Sequence, residues 1–152
     1  MPAVSFSRNK ITPFLWFDSQ AEEAARFYAG LFEDSKIVSA SPMMCEFQLA
    51  GQSFLALNGG PRFPFTEAVS LYVSCEDQTE VDRLWDALTA DGGAESQCGW
   101  LKDKYGLSWQ IIPEALPRYM QDSDRAKAER VMQAMLQMRK IVVADLDAAA
   151  AD

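Results

Sequence analysis

Apolar and polar residues alternate with period two over several short stretches of the chain and recur at helical spacing over longer ones. Ile11–Phe17 (ITPFLWF) predicts a strand with Thr12, Phe14 and Trp16 on one face. Pro13, which has no N–H to give a ladder, argues for an edge position or a bulge. Asp18-Ser19 offers an N-cap to a helix over Gln20–Phe32. Its Ala21, Ala24, Ala25, Phe27, Tyr28, Leu31 and Phe32 form one apolar stripe, and Glu22 and Glu23 stand in the first turn, where the helix dipole favours acids. Ser35–Ser41, Met44–Ala50 and Ser53–Asn58 read as three further strands.

After Gly59-Gly60-Pro61 and a linker over Arg62–Thr66, the same order begins again. Ala68–Ser74 predicts a strand, and Asp77 caps a helix over Gln78–Ala90 with Val81, Leu84, Trp85 and Leu88 at helical spacing. Gly92-Gly93 stops that helix. A short strand near Glu95–Cys98 leads into a hairpin whose arms are Cys98–Lys102 and Leu107–Ile112, joined by the turn Asp103-Lys104-Tyr105-Gly106. Both halves thus read strand–helix–strand–strand–strand, an internal repeat of element order. A last helix is predicted over Arg125–Lys140, capped by Asp122-Ser123-Asp124 and carrying Ala128, Val131, Met132, Met135, Leu136 and Met138. The Met residues suit an adaptable dimer contact. The Ala-rich end, Asp145–Asp152, is expected to fray. The fold class is α+β: two βαβββ modules, about residues 10–60 and 66–113, with a C-terminal helical extension over about 114–145.

The second arm of the hairpin carries the chemistry. Leu107, Trp109 and Ile111 make an apolar face that should lie under a helix. Ser108, Gln110 and Ile112 offer a hydroxyl, an amide and an aliphatic group, the makings of a lined pocket. In Gly51–Pro61 the same design places Phe54, Ala56 and Asn58 on one face, with Leu55 and Leu57 on the other. Asn58 and Gln110 then stand at equivalent places in the two repeats, as ligand-gripping amides or as groups that satisfy backbone at strand ends. Ser70 and Tyr72 share a strand face in the second module, and Phe14, Trp16 and Tyr72 either stack on a planar ligand or belong to the core. Glu46 and Tyr72 are the candidate acid–base groups, although the favoured reading of Glu46 is a solvated strand residue. Arg62 could hold an anion at a cavity mouth or lie in solvent.

Composition narrows the classes. Of 152 residues, 49% are apolar and 24% charged, an ordinary globular balance with no apolar run long enough to span a bilayer. The opening MPAVSFSRNK has no signal-peptide apolar core, so a cytoplasmic location without membrane partners is expected. Fourteen basic against 22 acidic residues give a net charge of −8, a field that opposes nucleic acid. Cys45, Cys75 and Cys98 have no CxxC spacing and read as free thiols. The sequence contains no histidine, which excludes Ser–His and Cys–His dyads and imidazole metal ligands. Cys98 therefore lacks the base that a thiol nucleophile requires.

Several long words, FQLAGQSFLALNGGP, SLYVSCEDQTEVDRLWDAL, QCGWLKDKYGLSWQIIP and RVMQAMLQMRKI, resemble in family order the PhnB-like branch of the vicinal oxygen chelate superfamily, many of whose members are labelled 3-demethylubiquinone-9 3-methyltransferase. The resemblance covers about residues 10–142. It implies one PhnB-like domain over residues 1–152 with the glyoxalase/bleomycin resistance/dioxygenase fold, its modules curled around a shared cavity, and a homodimer. Superfamily enzymes hold a metal from the first and last strand of each module, which on this chain falls near Thr12, Asn58, Ser70 (or Ala68) and Gln110. None is His, Glu or Asp, so neither a metal nor another cofactor is expected. S-adenosylmethionine is not expected because no strand–Gly-rich loop–helix unit is present to hold it. Where PhnB-like chains carry a longer loop, this chain has only Ser41-Pro42-Met43. The expected function is metal-free binding of a small molecule through Thr12, Phe14, Trp16, Asn58, Arg62, Ser70, Tyr72, Ser108 and Gln110. The alternatives are a superfamily enzyme with an atypical or absent metal site, and a homodimeric scaffold with no small ligand.

Overall fold

The computed structural model describes residues 9–151. Residues 1–8 and 152, and with them most of MPAVSFSRNK and the last tail residue, lie outside that range. The chain divides into two compact units, Met1–Phe65 and Thr66–Asp152. Among the described residues no helix is long and apolar enough to cross a membrane.

In the first unit, β1 (Phe14–Phe17), β4 (Gln52–Asn58), β3 (Met44–Leu49) and β2 (Lys36–Ala40) form one sheet in the order β1-β4-β3-β2, with β1 parallel to β4 and the rest antiparallel. The helix α1 (Ala21–Ala29) buries Ala21, Ala24, Ala25 and Tyr28, and the buried strand positions Phe17, Cys45, Phe47, Phe54 and Ala56 complete that core. β1 starts at the residue after Pro13, because proline can only accept: its carbonyl takes the Leu55 N–H at 3.0 Å. That leaves Thr12 outside the strand. Asp18-Ser19 does not cap α1; the first helical N–H, that of Ala21, is met instead by Asn58 Oδ1 at 2.8 Å. The β2–β3 connection is a tight turn held by Ser41 Oγ, which accepts from Met43 and Met44 N–H.

The second unit repeats the pattern with β5 (Ser70–Cys75), β8 (Ser108–Pro113), β7 (Trp100–Lys102) and β6 (Ala94–Glu95), ordered β5-β8-β7-β6 and again parallel at the first pair. Asp77 caps α2 (Gln78–Thr89) through the Glu80 N–H, as its sequence position predicts. Trp85, Leu84 and Leu88 of α2 are buried, as are Leu101, Trp109 and Ile111. The arm Cys98–Lys102 is shorter than its pattern predicts, since Cys98 and Gly99 both take positive φ. A side chain at residue 99 would also press on Ile112 Cδ1 at 2.7 Å and the Ile111 carbonyl at 3.1 Å.

The C-terminal segment departs most from expectation. The helix α3 (Ala115–Met120), which no periodicity announces, precedes α4 (Arg125–Met135); α4 ends well before Lys140. Asp124 caps α4 through the Lys127 N–H. The segment after α4 is pinned on two sides. Cys98 and Gly99 N–H donate to Met138 and Arg139 carbonyls, while the Gln78 side chain donates to the Ile141 carbonyl and accepts from Val143 N–H. The expected fraying end is a helix, α5 (Val143–Ala151), with Leu146 fully buried. Arg130 donates to the carbonyls of Ala149 and Ala150 at its last turn, and Ala at helix positions adds intrinsic propensity. Ile112, Leu116, Val131, Ile141 and Leu146 form a small core beneath these helices.

The hairpin turn depends on a buried carboxylate. Asp103 accepts from Tyr105 and Leu107 N–H at Oδ1 and from Trp109 Nε1 at Oδ2, the last at 2.9 Å. Asp103→Asn keeps the first acceptor but turns an amide N–H₂ towards the indole N–H. A loss of about 1–3 kcal/mol is expected, since a buried donor is left without a partner. Urea unfolding monitored by circular dichroism measures it.

Candidate functional site

Because successive side chains of a strand face opposite ways, the core positions of β8 fix where the others point. Trp109 and Ile111 go to α2, so Ser108, Gln110 and Ile112 go to the opposite face, with Trp100 of β7 and Tyr72 of β5 beside Gln110 in register. That sheet face forms one wall of a cavity of about 450 Å³: Tyr72, Trp100, Gln110 and Ile112, with Cys98 at the strand end. The other wall comes from the C-terminal helices, as Leu116, Pro117, Met120, Met135 and Leu136, with Gln121. No lining residue is charged.

The Gln110 amide is only half engaged. Its Nε2 donates to Ser70 Oγ at 3.0 Å, a protein partner that the sequence did not reveal. Its oxygen takes no hydrogen bond among the described residues. Ser108, next along the same face and paired in register with Ser70, buries a hydroxyl that has no partner among the described residues. Tyr72 is 54% exposed, and partial burial pushes its phenol above the ordinary value. It is protonated at neutral pH and can donate a hydrogen bond, whereas a general base there would need the phenolate.

Asn58 does not occupy the place in the first unit that Gln110 has in the second. Phe17 pairs with Asn58 as Cys75 pairs with Pro113, so the register counterpart of Gln110 is Leu55. Asn58 shares the helix-side face with Phe54 and Ala56, and both ends of its amide serve backbone: Oδ1 accepts from Ala21 and Nδ2 donates to the Pro42 carbonyl. Trp16 packs on Gly59, where a Cβ would fall 2.3 Å from the ring, and its Nε1 donates to the Gly60 carbonyl. Phe63 meets the Trp16 ring edge-on, and the Arg62 guanidinium lies over Phe63. Thr12 Oγ1 donates to the Asn9 carbonyl. Phe14 is exposed on β1. Glu46 is buried on β3, so a solvated strand position does not describe it. These residues all belong to the first unit, and none lines the cavity of the second.

Sequence reasoning missed the helical wall entirely. Met135 and Leu136 stood out only as members of an apolar stripe, and α3 is too short and too mixed in composition to show a period. Trp100 was legible as an aromatic in the hairpin, but its role required knowing which face of β7 stayed open.

Two sheets with parallel first and last strands, each with its helix on one face, define the glyoxalase/bleomycin resistance fold. Solved structures agree. A fosfomycin resistance protein from Listeria monocytogenes, complexed with Mn(II) and sulfate, superimposes with a TM-score of 0.55 at 16% identity, covering 75% of this chain and 99% of that one. A glyoxalase-related enzyme from Fulvimarina pelagi gives 0.50 at 18% identity over 71% of this chain and 91% of that one. The PhnB protein of Bacillus cereus is 38% identical, with a TM-score of 0.64, covering 69% of this chain and 99% of that one. The model of the 3-demethylubiquinone-9 3-methyltransferase family matches residues 9–112. The chain belongs to this PhnB-like family of the vicinal oxygen chelate superfamily. Among curated proteins none matches.

Neither group implied by these relatives fits the donors present. S-adenosylmethionine carries an ammonium, a carboxylate and a sulfonium, and the cavity lining offers no charged side chain to any of them. For a divalent metal, the inherited positions supply only hydroxyls and amides. Asn58 is committed to backbone, and Gln110 and Ser70 are bonded to each other. No group of three or more His, Cys, Asp or Glu among the described residues could hold a metal ion.

The thiols differ in environment. Burial pushes Cys75 up to about 12, and it also raises Cys45, so neither forms a reactive thiolate near neutral pH. Cys98 is partly exposed at the cavity. Native protein titrated with a disulfide reagent at neutral pH should therefore release one equivalent promptly, and denatured protein three, matching the three cysteines of the sequence. Cys98→Ser should abolish the prompt equivalent.

Proposed function

We propose that this protein is a metal-free small-molecule binder of the vicinal oxygen chelate superfamily, its ligand held over the second sheet with its polar edge on Gln110. The observation that supports this reading is the cavity itself. It has the size of a small-ligand site, a mostly apolar lining and a few polar groups on one wall. Gln110 presents an unoccupied acceptor there, and Tyr72 a donor. An acid–base enzyme at this site would need a carboxylate, an imidazole or an amine to carry the proton, and the lining supplies none of these. Native mass spectrometry of freshly purified protein tests the reading directly: a retained mass that is lost on denaturation is expected.

The division of labour along β8 gives a sharper check. Trp109→Ala removes a fully buried indole and its bond to Asp103, and should cost on the order of 3–5 kcal/mol. Gln110→Leu loses one bond to a half-buried serine that water can replace. Its stability should change by no more than about 1 kcal/mol, while ligand affinity falls by about 1–3 kcal/mol. A Gln110→Leu protein that unfolds as readily as Trp109→Ala would make Gln110 a structural residue.

Metal dependence separates this reading from that of a superfamily metalloenzyme. Thermal unfolding should show no saturable rise in midpoint with added Zn²⁺, Ni²⁺, Mn²⁺ or Fe²⁺. A bound ion at a hundredfold over its Kd would contribute about 2.7 kcal/mol, a readily measured shift. A saturable shift abolished by Gln110→Ala would return the site to the metalloenzymes.

A further inference from the structure

We infer that the C-terminal helices α3 and α4 determine specificity at this cavity, and that the ligand they select is an uncharged, planar aromatic compound carrying one hydrogen-bond donor. The inference rests on the reading that the cavity holds a small molecule, and it names the class of that molecule.

The sheet wall alone would be an open face. Of the 11 lining residues, six, namely Leu116, Pro117, Met120, Gln121, Met135 and Leu136, come from beyond Pro113. All six also lie beyond the span that matches the family model, which ends at residue 112. The wall that faces the sheet is thus contributed by residues beyond the stretch that the family model matches.

The chemistry of the two walls fixes the class. Trp100 and Tyr72 offer flat aromatic surface on the sheet side, and Met120 and Met135 of the helical wall bring polarizable thioethers, which favour contact with aromatic rings. An ionised ligand would leave water for a lining without a counter-charge, in a chain of net charge −8 that adds repulsion for anions. Gln110 Nε2 gives a proton to Ser70 Oγ while the amide oxygen takes no hydrogen bond among the described residues, so a ligand O–H or N–H is the group that would satisfy that oxygen.

The probes are 2-naphthol, 2-naphthoate and naphthalene, titrated into the full chain by calorimetry. 2-Naphthol should bind at least tenfold more tightly than naphthalene, which lacks the donor, and at least a hundredfold more tightly than the anionic 2-naphthoate. Leu136 is 46% exposed at the end of α4, so a long polar side chain is tolerated there without disturbing the core. Leu136→Lys should keep the wild-type unfolding midpoint yet lower the naphthol-to-naphthoate affinity ratio at least tenfold, because the wall then supplies a cation. If none of the three probes binds wild-type protein, the small-molecule reading itself fails. If they bind but naphthoate equals naphthol, or Leu136→Lys leaves the ratio unchanged, only the inference about the helical wall is overturned. Light scattering accompanies each titration. A change of oligomeric mass on Leu136→Lys without a change in the ratio would mean that a second copy of the chain, and not a ligand, covers this wall, which also overturns it.

Discussion

The buried Asp103 carboxylate is the constraint on which the second unit turns. Three N–H groups converge on it, two from the turn backbone and one from the Trp109 indole. The backbone pair sets the hairpin's reversal, and the indole bond fixes Trp109 on the helix side of β8. Strand geometry allows no independent choice after that. With Trp109 and Ile111 committed inward, Ser108, Gln110 and Ile112 must face the other way, and the cavity wall is established one residue at a time. A carboxylate only 2% exposed would be costly if unpaired; here it is offset by turn and indole donors that would otherwise be orphaned.

Much of this was legible in the sequence because period-two and period-3.6 patterns report burial, and burial is what the sheets and α1, α2 and α4 share. The paired modules, the Asp77 and Asp124 caps and the two faces of β8 all follow from such patterns. The chelate-superfamily words were equally legible, and the family match and the fold agree with them. What pattern cannot carry is register between repeats. Asn58 and Gln110 each end a word of similar composition, yet they fall on opposite faces of their sheets, because the pairing with β1 and β5 is offset by three residues between them. Asn58 then does locally what Asp18-Ser19 was expected to do, and meets the first N–H of α1 from across the unit. The end of the chain was misread for a related reason. An Ala-rich segment has no amphipathic signature, and its order comes from Arg130 and Leu146, one a long-range hydrogen-bond donor and the other a single buried anchor.

The two implied cofactors fail on the same physical ground, the absence of charge where charge would be needed. A divalent ion and S-adenosylmethionine are both ionic ligands, and both require the site to replace water's solvation with charged groups of its own. The cavity of the second unit replaces it with indole, phenol, thiol, thioether and aliphatic carbon, plus the amides of Gln110 and Gln121. Family membership and site chemistry are thus separable: the first is carried by residues that build the sheets, the second by a handful that the sheets leave facing outward.

The Gln78 side chain joins the first turn of α2 to both sides of Val142, through the Ile141 carbonyl and the Val143 N–H. This makes a mechanical linkage between elements 63 and 65 residues apart in the chain. Any rotation of the α2 N-terminus is delivered to the strap that follows α4, and the strap is fastened on its other side to Cys98 and Gly99. The helix packed beneath the sheet and the helical wall above it are therefore tied to one another by hydrogen bonds. Loosening one amide at the start of α2 would unlatch the roof of a cavity that α2 never touches.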